Sequence, residues 1–111
     1  MHRKFGKKRG PRRSFVRILA HNVIMKEHAQ TTEARGKEIR SVIEKMVTTA
    51  KKQNLASFRR LLSQLPKDAA SKLYYELAPR YKDRHGGYMR VTKLAERRKR
   101  DAAEQVIIEF V

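Results

Sequence analysis

Between Glu33 and Lys52, apolar residues fall at Ile39, Val42, Ile43, Met46, Val47 and Ala50. That spacing places all six on one stripe of an α-helix, and a stripe this continuous must be covered by other elements. Thr32 stands where a cap is wanted, Glu33 and Glu38 occupy the first half, and Lys51 and Lys52 follow the end, as the helix dipole prefers. Gly36 is expected to cost this helix about 1 kcal/mol relative to alanine. This is the strongest helix in the sequence.

Three further helices are predicted. Ser14 is placed to cap the first, with Phe15, Val16, Leu19, Ala20 and Val23 inward and a fade near Lys26. Asn54 caps the third, which turns Leu55, Phe58, Leu61, Leu62 and Leu65 inward and stops at Pro66. Asp68 caps the fourth, which carries Ala69, Ala70, Leu73, Tyr74 and Leu77 into Pro79. Glu27 to Thr31 reads as a brief edge strand. Tyr88 to Leu94 and Gln105 to Val111 read as two longer strands, and in the last of them Val106, Ile108 and Phe110 share one face. The 111 residues suffice for one core. The expected architecture is α+β, about four helices on a small mixed three-stranded sheet. Residues 1–13 form a basic, disordered N-terminal extension, and residues 14–111 form the single folded domain.

Charge then decides what kind of surface this domain presents. Lys and Arg number 28 against 11 Asp and Glu, a formal net charge of +17. Residues 1–26 hold nine of those cations and no acid. Such an excess repels itself until a polyanion supplies counter-charge. The first thirteen residues, with Gly6, Gly10 and Pro11, bury too little apolar surface to offset their ordering entropy. His2, Arg3, Lys4, Lys7, Lys8, Arg9, Arg12 and Arg13 are therefore read as a tail that follows irregular phosphates, joined by Arg17 and Asn22 from the first helix. Between the last two strands lies a long basic hairpin loop, where Arg97, Arg98, Lys99 and Arg100 run consecutively. Two strands need only a short turn, so a long basic loop points to phosphate contact at its tip.

The string Arg84-His85-Gly86-Gly87-Tyr88-Met89-Arg90 is the most distinctive. Paired glycines allow positive φ and a close backbone approach, Arg84 and Arg90 can grip phosphates, and Tyr88 can stack on a base or enter the core. No G-x-G-x-x-G or G-K-[ST] loop is present. His2, His21, His28 and His85 lack metal-ligand spacing, and cysteine is absent, so no metal, cofactor or disulfide is expected. Glu33, Glu38 and Glu44 beside Lys37, Arg40 and Lys45 read as ordinary ion pairs on a polar helix face. No nucleophile, base and orienting group can be assembled, so an enzyme with a small-molecule substrate is not expected. No apolar run approaches a membrane span. RNA is the expected partner, with a DNA-binding or nucleoid-associated protein as the alternative.

These residues resemble a known family, bacterial large-subunit ribosomal protein seventeen. His2-Arg3-Lys4 with its glycine and basic tail is similar to the family's start. Thr31-Thr32-Glu33-Ala34, leading to Lys37-Glu38-Ile39-Arg40, is similar to its T-T-x-x-x-A-K-E-L-R segment. Ala78-Pro79-Arg80-Tyr81, followed by Arg84-His85-Gly86-Gly87-Tyr88-Met89-Arg90-Val91, is similar to its P-R-[FY]-x-x-R-x-G-G-Y-T-R-I segment. Gly36 stands where the family usually has Ala, and Met89 where it has Thr. The resemblance implies a cytoplasmic, ribosome-bound, non-enzymatic protein. It would be embedded in large-subunit ribosomal RNA near the exit of the nascent-chain tunnel, beside other large-subunit proteins, and would not be a stand-alone homo-oligomer.

Overall fold

In the computed structural model the backbone is described for residues 9–97 and 103–111, and side chains for residues 13–95 and 103–111. The order of elements is α1 (Arg9–Lys26), β1 (His28–Thr32), α2 (Glu33–Ala50), α3 (Leu55–Gln64), α4 (Lys67–Lys72), a π-helical turn (Leu73–Leu77), α5 (Ala78–Arg80), β2 (Met89–Arg97) and β3 (Glu104–Phe110). The fold is α+β. Its three strands lie in the order β1-β3-β2, and both pairings are antiparallel. The expectation of a mixed sheet is corrected: β2 and β3 are a hairpin, and β1 reaches β3 from the opposite direction.

The central helix is as its apolar stripe requires. Ile39, Ile43, Met46, Val47 and Ala50 are buried, against Ala20, Val23 and Ile24 of α1 and Leu73 and Leu77 of the π turn in one core. On the sheet side, Val106, Ile108 and Phe110 of β3 are buried. Across the strands, Ala29 and Val91 flank Ile108 in register, so one face of the sheet is apolar and rests on α2. Asn54 caps α3 as its sequence predicts: Oδ1 accepts from the Ser57 amide at 2.8 Å, while Ser57 Oγ accepts from the Asn54 amide.

Several expectations fail for identifiable reasons. Helix α1 begins at Arg9, ahead of Ser14, so the last residues assigned to the extension are helical. Pro11 lies in the first turn, where its missing amide hydrogen has no intrahelical partner to lose. Leu55 and Leu62 face solvent, because α3 turns Ser57 and Leu61 to the core instead. Glu38, assigned to the polar face, is buried. The fourth helix, expected to run into Pro79, continues past it to Arg80. The proline ring would clash with a carbonyl one turn back, and the preceding π turn, in which the Ala78 amide donates to Leu73 O, widens the helix to pass it. Lastly, β2 extends to Arg97 with a register shift after Lys93, so the hairpin connection is shorter than expected.

Gly36 has a packing role that helix propensity does not show. A Cβ there would stand 2.6 Å from Val106 Cγ2, so the glycine sets how closely α2 approaches β3. Val106 is fully buried and β-branched, with little freedom to yield. Gly36→Ala is therefore expected to destabilise the fold by roughly 1–2 kcal/mol, as overpacking outweighs the gain in propensity. Urea denaturation checks this, and the penalty should shrink when the substitution is made on a Val106→Ala background.

Ion pairs fasten α1 to the fourth helix. Glu27 takes left-handed backbone (φ 64°) after α1, and its carboxylate meets Arg80 at 2.7 Å and Lys72 at 3.4 Å. Lys72 Nζ also donates to Met25 O at 2.8 Å, satisfying a terminal carbonyl of α1. The Arg80 guanidinium above all, and Lys72 after it, hold the Glu27 carboxyl below its ordinary value of 4.5. A depressed carboxylate adds stability above its unfolded pKa and loses it as pH falls through the folded value. Urea midpoints should therefore drop from about pH 5 downward, and Glu27→Gln should remove part of that drop.

Candidate nucleic-acid interface

The chain turns from helix to sheet at residues 81–88, and the geometry follows from its glycines. The Arg84 amide donates to Tyr81 O at 3.0 Å, and then Gly86 (φ 149°) and Gly87 (φ 63°) take backbone that side-chain-bearing residues rarely adopt. A Cβ on Gly86 would meet nothing within 4 Å, so the glycine faces open space. Lys51, just past α2, braces the turn from beneath: Nζ donates to Arg84 O and, at 2.9 Å, to the Tyr88 hydroxyl. Val111 closes the other side, its amide donating to Tyr88 O at 3.0 Å while its carbonyl accepts from the Tyr81 hydroxyl at 2.7 Å.

Tyr88 is consequently a core residue. Its ring lies 5.4 Å from that of Tyr81 and is 4% exposed, so it offers no face on which a base can stack. That corrects the stacking role read from the sequence. Arg84, His85, Gly86 and Gly87 are exposed beside it. Arg84 Nε donates to Gly86 O at 3.2 Å, which folds the guanidinium back over the turn. Arg90 is exposed, but its guanidinium is engaged by Glu109 across the strand pair at 2.7 Å.

The remaining candidates occupy separate places. Arg13 and Arg17 are exposed one turn apart on α1. Asn22 lies on another face of that helix, in a groove shared with Lys26, His28, Gln30 and Thr31. Arg97 ends β2, where its backbone pairs with Glu104. His2, Arg3, Lys4, Lys7, Lys8, the side chains of Arg9 and Arg12, and the loop residues Arg98, Lys99 and Arg100 lie outside the described residues. The base of the hairpin is held to α2 by Glu33, which pairs with Lys37 at 2.8 Å and Lys93 at 3.6 Å.

Two cations were read wrongly as partners in surface ion pairs. Among the described residues neither Arg40 nor Lys45 meets a carboxylate, while Lys37 does. Both line an open groove of about 300 Å³ with Ser41, Glu44, Thr48, Gly86 and Tyr88. Their place opposite the apolar stripe was visible in the sequence. The glycine turn lying across from them was not, because it comes some forty residues later in the chain.

Excess positive charge carried outside an almost wholly apolar core defines a small, basic α+β protein with its cations on the surface. Comparison with known proteins narrows that class. Residues 15–111 match the family described as ribosomal protein L17. The large ribosomal subunit protein bL17 of Desulfitobacterium hafniense (strain DSM 10664 / DCB-2) is 48% identical over 111 residues, covering 99% of this chain and 98% of that one. The protein of the same name from Lactobacillus helveticus (strain DPC 4571) is 42% identical over 125 residues, covering 99% and 98%. That from Hydrogenobaculum sp. (strain Y04AAS1) is 48% identical over 99 residues, covering 88% and 84%. The chain belongs to the ribosomal protein L17 family, and is thus a structural protein of the ribosome rather than an enzyme.

Proposed function

We propose that this chain is a structural constituent of the large ribosomal subunit that stabilises folded large-subunit ribosomal RNA by neutralising its phosphates. The observation that carries the reading is where the charge lies. The buried core is almost wholly apolar, while Arg13, Arg17, Arg84 and Arg90 are all exposed. Nine cations without an acid precede residue 27, and four more stand in a row at 97–100. Cations held on the outside of a folded body and in its basic segments match a partner whose charge is spread along a chain.

The reading extends to neighbouring large-subunit proteins as partners and, following the family resemblance, to a position near the exit of the nascent-chain tunnel in cytoplasmic ribosomes. Among the described residues no helix is long and apolar enough to cross a membrane.

Sedimentation of cell extracts tests the reading. The protein should travel with large subunits in low salt and leave them only in high salt, because each phosphate contact releases counterions. Migration as free protein at low ionic strength would overturn it. Competition between large-subunit RNA and duplex DNA should favour RNA, and the reverse preference would point to a nucleoid protein instead.

A further inference from the structure

We propose that the groove between α2 and the Gly86-Gly87 turn is a seat for the RNA sugar-phosphate backbone, with Arg40 and Lys45 as its cations. The inference rests on the RNA-binding reading above and assigns it a surface. One wall is the outer face of α2, where Arg40, Ser41 and Lys45 are exposed. The other wall is Gly86, with Glu44, Thr48 and Tyr88 completing the lining.

Three observations point to a phosphate chain. Among the described residues Arg40 and Lys45 have no anionic partner, unlike Lys37, Lys72, Arg80 and Arg90. They are thus cations whose charge is not already met within the fold, and counterion release rewards using them. Gly86 leaves the opposite wall without a side chain, so a backbone can come close to it. The turn is also held in place beforehand, by Lys51 beneath it and by Val111 beyond it. A site already in shape pays little ordering entropy on binding.

Base stacking is not part of the proposal, since the one aromatic residue lining the groove, Tyr88, is buried against Tyr81. The groove would therefore hold RNA by charge and shape and not by sequence. Glu44 is the group that opposes binding. Its Oε1 accepts from the Met89 amide at 3.4 Å, which spends part of its charge locally and leaves the rest facing the groove.

The test measures affinity of the full-length protein for large-subunit RNA against salt concentration. Arg40→Gln with Lys45→Gln should weaken binding about tenfold or more at moderate salt and flatten the log-log salt slope by roughly 1.4–1.8. Arg59→Gln with Arg60→Gln, an equal loss of charge on α3, should change both less. Glu44→Gln keeps the acceptor for Met89 and removes the repulsion, so it should tighten binding a few-fold, more than Glu76→Gln does on the π turn. Of the six positions all but Glu44 are solvent-exposed, and thermal melts confirm that the variants are folded. If the two arginine-lysine and arginine-arginine pairs behave alike, or Glu44→Gln and Glu76→Gln do, the groove is not the seat although RNA binding stands. If the unaltered protein binds with little salt dependence, the RNA-binding reading itself fails.

Discussion

Ile43→Ala is expected to lower the stability of the fold by about 3 kcal/mol, within the 2–5 kcal/mol usual for deleting a buried branched side chain. Ile43 is fully buried at the middle of the α2 stripe, and α2 is the element against which the other helices and the sheet pack. Truncation there leaves a cavity that the surrounding side chains can fill only in part. The loss matters more in this chain than in most. A net charge of +17 repels itself in the free protein, so the margin left by burial is thin before a polyanion is bound. The urea midpoint should fall with an unchanged slope. Leu62→Ala on the exposed flank of α3 should cost well under half as much. Equal costs at the two positions would mean that the core has been placed on the wrong faces.

Replacing Arg3, Lys4, Lys7 and Lys8 with glutamine is expected to act in the opposite domain of behaviour, on binding and not on folding. All four precede α1, so the folded body loses none of its described contacts. Each cation that neutralises a phosphate contributes about 0.7–0.9 to the salt slope. The fourfold variant should therefore bind large-subunit RNA on the order of a hundredfold more weakly at moderate salt, with a slope shallower by roughly 3. Its urea midpoint should stay level or rise slightly, because less self-repulsion remains. A marked fall in that midpoint would show that these residues support the core. An unchanged salt slope would show that they are not at the RNA.

What could be read from residues alone follows a physical divide. Local patterns carried through. The α2 stripe, the alternation of Val106, Ile108 and Phe110, and the Asn54 cap depend on residues a few positions apart, and each takes the form its pattern implies. Several of the misreadings turn on contacts between distant segments. Gly36 looked like a weakness in a helix until β3 was found lying against it. Tyr88 looked available to a base until Tyr81 and Lys51 were found enclosing it. The π turn that carries the fourth helix past Pro79 went unread because it has no simple periodic signature.

The candidate interface divides in the same way. Arg84, Gly86 and Gly87 were legible because glycine pairs and flanking arginines mark a local turn. Arg40 and Lys45 were not, because i to i+4 spacing beside glutamates suggests ion pairs, and only the folded chain shows which cations go unmatched. Asn22 and Arg17, grouped by proximity in sequence, lie on different faces of α1.

The most direct measurement is the binding of purified full-length protein to large-subunit ribosomal RNA between 50 and 200 mM monovalent salt. For about 6–10 phosphate contacts, affinity should fall by roughly a thousandfold or more across that range, linearly on logarithmic axes. Affinity that barely responds to salt would contradict the claim that exposed cations seeking phosphates are what this fold exists to present.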